Sequence, residues 1–167
     1  MREITPIPLT AEAFAPFGEV IEASDRARQI PINYGHGLRF HGLAGIDASD
    51  GGGRAIISIL RARPLDPPLL KIMERHPLGS QAFVPLSGRP YLAAVAPAGD
   101  FDPGKLAVFR AAPGQGVSYA KGTWHHFLLA LEAESDFLVV DREDRDRHGE
   151  NLDEIELAPA DQVIVRL

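Results

Sequence analysis

The chain of 167 residues has no cysteine, one tryptophan and two methionines. Without cysteine there is no disulfide scaffold, no thiolate metal site and no cysteine nucleophile. No run of 18 apolar residues exists, so no transmembrane helix is expected. Basic residues do not dominate: 17 Lys and Arg stand against 23 Asp and Glu, a formal charge of −6. No basic patch or stripe stands out, which argues against a nucleic-acid partner. Met1-Arg2-Glu3-Ile4-Thr5-Pro6 has no apolar signal core, so a cytoplasmic setting is expected, with no membrane partner. Chemistry must then come from His, Asp, Glu, Arg, Lys, Tyr or Ser.

What is present reads as a globule with many turns. The 45% hydrophobic and 24% charged fractions are ordinary for a soluble domain. At this length one domain over residues 1–167 is expected, burying roughly 70% of its unfolded surface. The 16 glycines and 14 prolines are spread along the chain. Thr10 is an N-cap before Ala11-Glu12-Ala13-Phe14, a helix that Pro16 and Gly18 cut short. Strands are expected at Arg54 to Leu60, Ala82 to Leu86, Tyr91 to Ala96, Leu106 to Arg110, Phe127 to Leu131, Phe137 to Asp141 and Val163 to Leu167. These short, turn-bounded runs indicate an all-β antiparallel barrel or jelly roll with a few short helices. Gly51-Gly52-Gly53 lacks the lysine and helix start of a phosphate cradle. The charged run Asp141 to Asp153 reads as a solvated loop.

Six histidines are available: His36, His41, His76, His125, His126 and His148. In Glu74-Arg75-His76 the outer two residues share a strand face. Pro77-Leu78-Gly79-Ser80 turns the chain, and Gln81 returns on the next strand. Carboxylate, imidazole and amide can thus converge; the alternative is a surface ion pair of Glu74 with Arg75. In Trp124-His125-His126, alternation allows only one histidine to face inward. Alternation leaves open which of the two; only the spacing taken together with the Glu74 segment selects His125 as inward and His126 as outward. Trp124 belongs to a core or interface. Arg39 and His41 share a face, and a guanidinium suits a carboxylate bidentately. Arg61 and Lys121 are the other cations available to an anionic ligand, and Asn33 is a hydrogen-bonding candidate that can equally hold a turn.

The two histidine segments resemble the paired motifs of the cupin barrel. Glu74, His76, Gln81 and Gly88 fall at the first motif's spacing; Ala120, Gly122 and His125 fall at the second's. Three side chains depart from the common pattern: Glu74 for histidine, Gln81 for glutamate and Ala120 for proline. The resemblance implies a site for a divalent metal ion built from Glu74, His76, Gln81 and His125, with no organic cofactor.

The departures match a narrower pattern. Glu74 to Leu86 is similar to the central signature of the ureidoglycolate lyases, once called ureidoglycolate hydrolases. The likeness extends to Ile32-Asn33, Arg39-Phe40-His41, Gly116 to Tyr119, Trp124-His125-His126 and Asp136 to Arg142. It spans Leu9 to about Arg142, with Phe127 where the family usually has proline. It implies cleavage of ureidoglycolate to glyoxylate and urea in purine breakdown, and a homodimer. Under it His76, His125 and Glu74 are catalytic candidates, while Arg39, Arg61, Lys121, Gln81 and Asn33 are substrate-binding candidates. Two alternatives remain: an amidohydrolase releasing ammonia, and a non-catalytic cupin that binds a small carboxylate.

Overall fold

In the computed structural model, residues 1–143 and 150–167 are described. His148 and the middle of the charged run, residues 144–149, lie outside them. Two large sheets face one another. One runs in the order Asp153–Glu156, Ile72–Arg75, Trp124–His125, Tyr91–Ala96, Ala107–Ala111, Ile7–Pro8, and Leu129–Ala130 also pairs with Tyr91–Ala96. The other runs Gly18–Ile21, Gly116–Tyr119, Gln81–Pro85, Ser135–Glu143, Arg54–Ala62. Pairing is antiparallel except where Arg2–Ile4 meets Val163–Val165 and Ile7–Pro8 meets Ala107–Ala111. This is the expected all-β, cupin-like jelly roll.

Alternation explains which side chains meet between the sheets. From the five-stranded sheet Phe83, Tyr119, Phe137 and Val139 enter the core; from the facing sheet come Tyr91, Val95 and Phe109. Tyr91 and Phe137 meet edge to face at 5.1 Å, a favoured aromatic geometry. Tyr91–Ala96 is buried at every position, because its other face packs Leu92, Ala94 and Ala96 against Met73, Trp124 and Val163. A strand covered on both sides reads as an unbroken apolar run, and its alanines let both layers approach closely.

The helix is Ala11–Phe14, with the Thr10 hydroxyl accepting from the Ala13 N–H at 3.2 Å. It seats the fully buried Phe14 against Phe17, Phe109 and Tyr119. Some expectations shift. The strand from Leu106 begins at Ala107, and Phe127 to Leu131 shrinks to Leu129–Ala130. A separate hairpin, Arg28–Ile32 with Gly37–His41, was not foreseen. Arg28–Ile32 carries polar residues on both faces and gives no apolar alternation, and in Gly37–His41 the alternation of Leu38 and Phe40 with Arg39 and His41 is short. The hairpin turn holds Asn33, Tyr34 and Gly35 all at positive φ.

Candidate active site

Glu74 and His125 stand directly opposite each other, on the antiparallel strands Ile72–Arg75 and Trp124–His125. Met73 points into the second core, so alternation turns Glu74 to the opposite face. Its Oε1 lies 3.6 Å from His125 Nδ1. His76 follows the strand, and its ring centroid is 5.2 Å from that of His125. Ligand atoms of Glu74, His76 and His125 all lie within 4.8 Å of one another. The expected alternative does not form, because Arg75 instead pairs with Asp153 at 2.7 Å and lies over the Trp124 ring.

Backbone contacts hold these side chains in position. His76 Nδ1–H donates to the Asn151 carbonyl at 2.7 Å. A carbonyl only accepts, so in the neutral imidazole the proton sits on Nδ1 and the lone pair on Nε2. Asn151 Oδ1 accepts from Leu78 N–H at 2.7 Å, which pins the turn that carries His76. The Gly122 N–H donates to the His76 carbonyl at 2.9 Å and ties the two motif loops together.

The electrostatics follow from burial. Burial drives the His125 imidazole down to about 3; His76 and His126 add to the effect, against a backbone hydrogen bond to His126. His125 is therefore neutral across the physiological range and can offer a lone pair. Burial raises the Glu74 carboxyl, His76 opposes this, and Glu154 reinforces it. Tyr119 stacks on His125 at 4.5 Å and 17°. Burial above all, then Tyr91 and Glu74, holds its phenol well above the usual range.

Glu74, Gln81 and His125 open onto a cavity of about 320 Å³, walled by Leu60, Phe83, Leu128 and Val139. Gln81 Nε2–H donates to Asp141 Oδ2 at 3.2 Å. Among the described residues, six side-chain atoms are buried without a hydrogen-bond partner: His76 Nε2, His125 Nε2, Gln81 Oε1, Tyr119 OH and Asp141 Oδ1 around this site, and His41 Nδ1 on the separate hairpin. Native proteins leave few such atoms, and each costs stability. Asp141 and Tyr119 had been given no role from the sequence. A signal existed for Asp141: it shares the period-two face of Phe137 and Val139, where an acid is out of place.

Several expected site residues lie elsewhere. Arg61 is on the outward face of its strand, donating to both Asp136 oxygens at 2.7 and 2.9 Å. Lys121 reaches Asp47 and Asp50 at a different cavity, lined by Glu19, Ser80 and Ser118. Arg39 is exposed on the separate hairpin, and Asn33 opens the hairpin turn at φ 53°. None of the four lines the cavity of Glu74 and His125. The expectation for His126 is also corrected. It is 2% exposed and borders the same cavity as His125. The strand ends at His125, so alternation no longer governs the next residue. His126 instead donates from Nδ1 to the Phe127 carbonyl at 2.9 Å, and burial lowers its imidazole. Trp124 is a core residue, with its indole N–H donating to Gly99 O at 2.9 Å.

A two-histidine, one-carboxylate set suits a divalent first-row cation. The unpartnered Nε2 atoms of His76 and His125 are the donors such an ion needs. Among the described residues no Lys or Arg lines the cavity, which carries the carboxylates of Glu74 and Asp141.

The chain is 53% identical over 157 residues to a ureidoglycolate lyase of Burkholderia mallei (strain NCTC 10229), covering 92% of each. It is 48% identical over 167 residues to one of Pseudomonas entomophila (strain L48), covering 99% of this chain and 97% of the other. Among solved structures, a dTDP-6-deoxy-D-glucose-3,5-epimerase from Legionella pneumophila Philadelphia 1 has 14% identity and a TM-score of 0.46, over 84% of this chain and 72% of that one. The profile of the ureidoglycolate lyases matches residues 1–165, and the chain belongs to that family.

Proposed function

We propose that this protein is a ureidoglycolate lyase, releasing glyoxylate and urea. The observation that carries this reading is the convergence of Glu74, His76 and His125 on one point, with the histidine Nε2 atoms bare, in a member of that family. Ureidoglycolate bears a hydroxyl and a urea nitrogen on one carbon, beside a carboxylate. As the hydroxyl loses its proton the carbon–oxygen bond becomes a carbonyl. The carbon–nitrogen bond breaks, and the departing nitrogen takes a proton to become urea. No water is consumed, so one group can move the proton from oxygen to nitrogen.

A divalent cation held by Glu74, His76 and His125 would bind the substrate's hydroxyl and carboxylate oxygens and lower the pKa of the hydroxyl. His76 is oriented for this by its Nδ1–H bond to Asn151, and His125 by burial that keeps it neutral. Glu74 has a second carboxylate oxygen that can take the proton from the hydroxyl and pass it to the departing nitrogen. Leu60, Phe83, Leu128 and Val139 limit the water that reaches the reacting carbon.

The same reading carries a single domain over residues 1–167, supported by one core shared between the two large sheets. It also carries a homodimer and a cytoplasmic setting. Self-association is supported by Arg54–Ala62, an edge strand with Ile57 72% and Ile59 57% exposed. No helix among the described residues is long and apolar enough to cross a membrane. The test is to incubate the protein with ureidoglycolate, with and without chelator, and assay urea, glyoxylate and ammonia. Equimolar urea and glyoxylate, lost on chelation and restored by a divalent ion, is the expected result. Ammonia in place of urea overturns the lyase reading, and full activity after chelation overturns the cation site.

A further inference from the structure

We infer that Gln81 and Asp141 form a subsite for the ureido group, taking its N–H donors on Gln81 Oε1 and Asp141 Oδ1; this rests on the function proposed above. The orientation of the pair is dictated by chemistry. A carboxylate only accepts, so the 3.2 Å contact with Asp141 Oδ2 must come from the Gln81 amide nitrogen. That turns the amide so that its oxygen is the atom left over. Both leftover atoms, Oε1 and Oδ1, are buried and without a partner among the described residues, and both residues line the cavity.

The pair therefore presents two acceptors to the ligand. What fits opposite them is a group rich in N–H, and the ureido end of the substrate carries three such hydrogens. A carboxylate is repelled there by Asp141. The hydroxyl and carboxylate fall to the cluster of Glu74, His76 and His125, of which Glu74 and His125 line the same cavity. The bond that breaks then lies between the two groups of side chains. Holding the urea half in place fixes the direction in which it departs. The subsite also gives a reason for selectivity. A ligand without these hydrogens leaves two buried acceptors unpaired, a penalty that discriminates more strongly than lost apolar contact.

Calorimetric titration with N-carbamoylglycine and N-acetylglycine tests the subsite without requiring turnover. The two differ by a terminal NH2 in place of CH3. The wild-type protein is expected to favour N-carbamoylglycine by about tenfold or more, the scale of one hydrogen bond to a charged group. In Asp141→Asn the amide oxygen keeps the bond to Gln81, so the NH2 faces the cavity. The preference should fall to near unity while glyoxylate affinity stays within about twofold. Equal wild-type binding of the two ligands overturns the subsite, as does an equal loss of glyoxylate and N-carbamoylglycine affinity in the variant. Should the variant not fold, the wild-type comparison alone decides. A wild-type preference without urea release from ureidoglycolate would overturn the proposed function and leave the subsite standing. Urea release without the preference overturns the subsite alone.

Discussion

On the outer face of the five-stranded sheet, Asp136 gives both carboxylate oxygens to the Arg61 guanidinium. Farther along the same strand, on the inner face, Asp141 keeps one oxygen bare. The two acids sit in the same local structure and differ in which way the pleat turns them. Arg61 holds the Asp136 carboxyl below the usual range, a pairing that water largely screens. Asp141 is half-buried like Asp136, but its Oδ1 is shielded from water and has no partner, while Oδ2 accepts one bond from Gln81. Of the six buried side-chain atoms without a partner among the described residues, five belong to His76, Gln81, Tyr119, His125 and Asp141 and gather around one site, while the sixth, His41 Nδ1, lies on the separate hairpin. Such a gathering is expected of a site completed by a ligand.

Substitutions that separate the two faces test this contrast. The largest effect is expected on the inner side. His125→Ala should lower kcat on the order of a hundredfold, because it removes a donor to the cation that would lower the pKa of the hydroxyl. The alkoxide develops only as the bond to urea breaks, so steady-state kinetics should show the loss in kcat more than in KM. A near-normal kcat with a raised KM would reduce His125 to a binding group.

A smaller effect concerns stability and pH. His125 titrates at about 3 in the folded protein against 6.5 unfolded. Between these values the unfolded chain binds a proton that the folded one does not. Stability should therefore fall as pH drops from about 6.5 towards 3, by about 1–2 kcal/mol over the first pH unit or so. Glu74, raised in the folded state, acts in the opposite sense at the acid end. Guanidinium chloride denaturation at pH 7 and pH 5 measures this, and His125→Gln should flatten the dependence. An unchanged slope in that variant would mean that another group causes the acid lability.

The smallest effects are expected outside the cavity. Arg39→Ala and Arg61→Ala should leave kcat and KM within about twofold, as surface substitutions usually do. The sequence alone favoured Arg39 as a grip for the substrate carboxylate. A tenfold rise in KM for either variant would return that role to the arginines and weaken the contrast between faces.

Much of the fold was legible locally. Thr10 before Ala11-Glu12-Ala13-Phe14 announced the one helix, and Tyr91 to Ala96 read correctly as a strand. The hairpin was missed: Arg28–Ile32 lacks apolar alternation, and in Gly37–His41 the alternation of Leu38 and Phe40 with Arg39 and His41 covers too few residues to announce a strand. At the site, the proximity of Glu74, His76 and His125 followed from motif spacing. The placement of the cations did not. Arg61 and Lys121 find acids that come from distant segments, Asp136 and Asp50, and such pairings leave no trace in local spacing.

The sequence by itself determined the all-β class, the absence of thiol chemistry and the two segments that carry the histidines. All three depend on composition or on a period of two residues, which neighbours along the chain control. Only the tertiary structure decided that His126 is buried, that Arg61 faces away and that Asp141 joins Gln81 in the cavity. The Gln81–Asp141 contact spans 60 residues and that of His76 with Asn151 spans 75. Contacts of that reach depend on which strands lie side by side and in which register. Burial of the core between the two sheets selects that register, because a slip of one residue would turn Phe83, Phe137 and Val139 out to water.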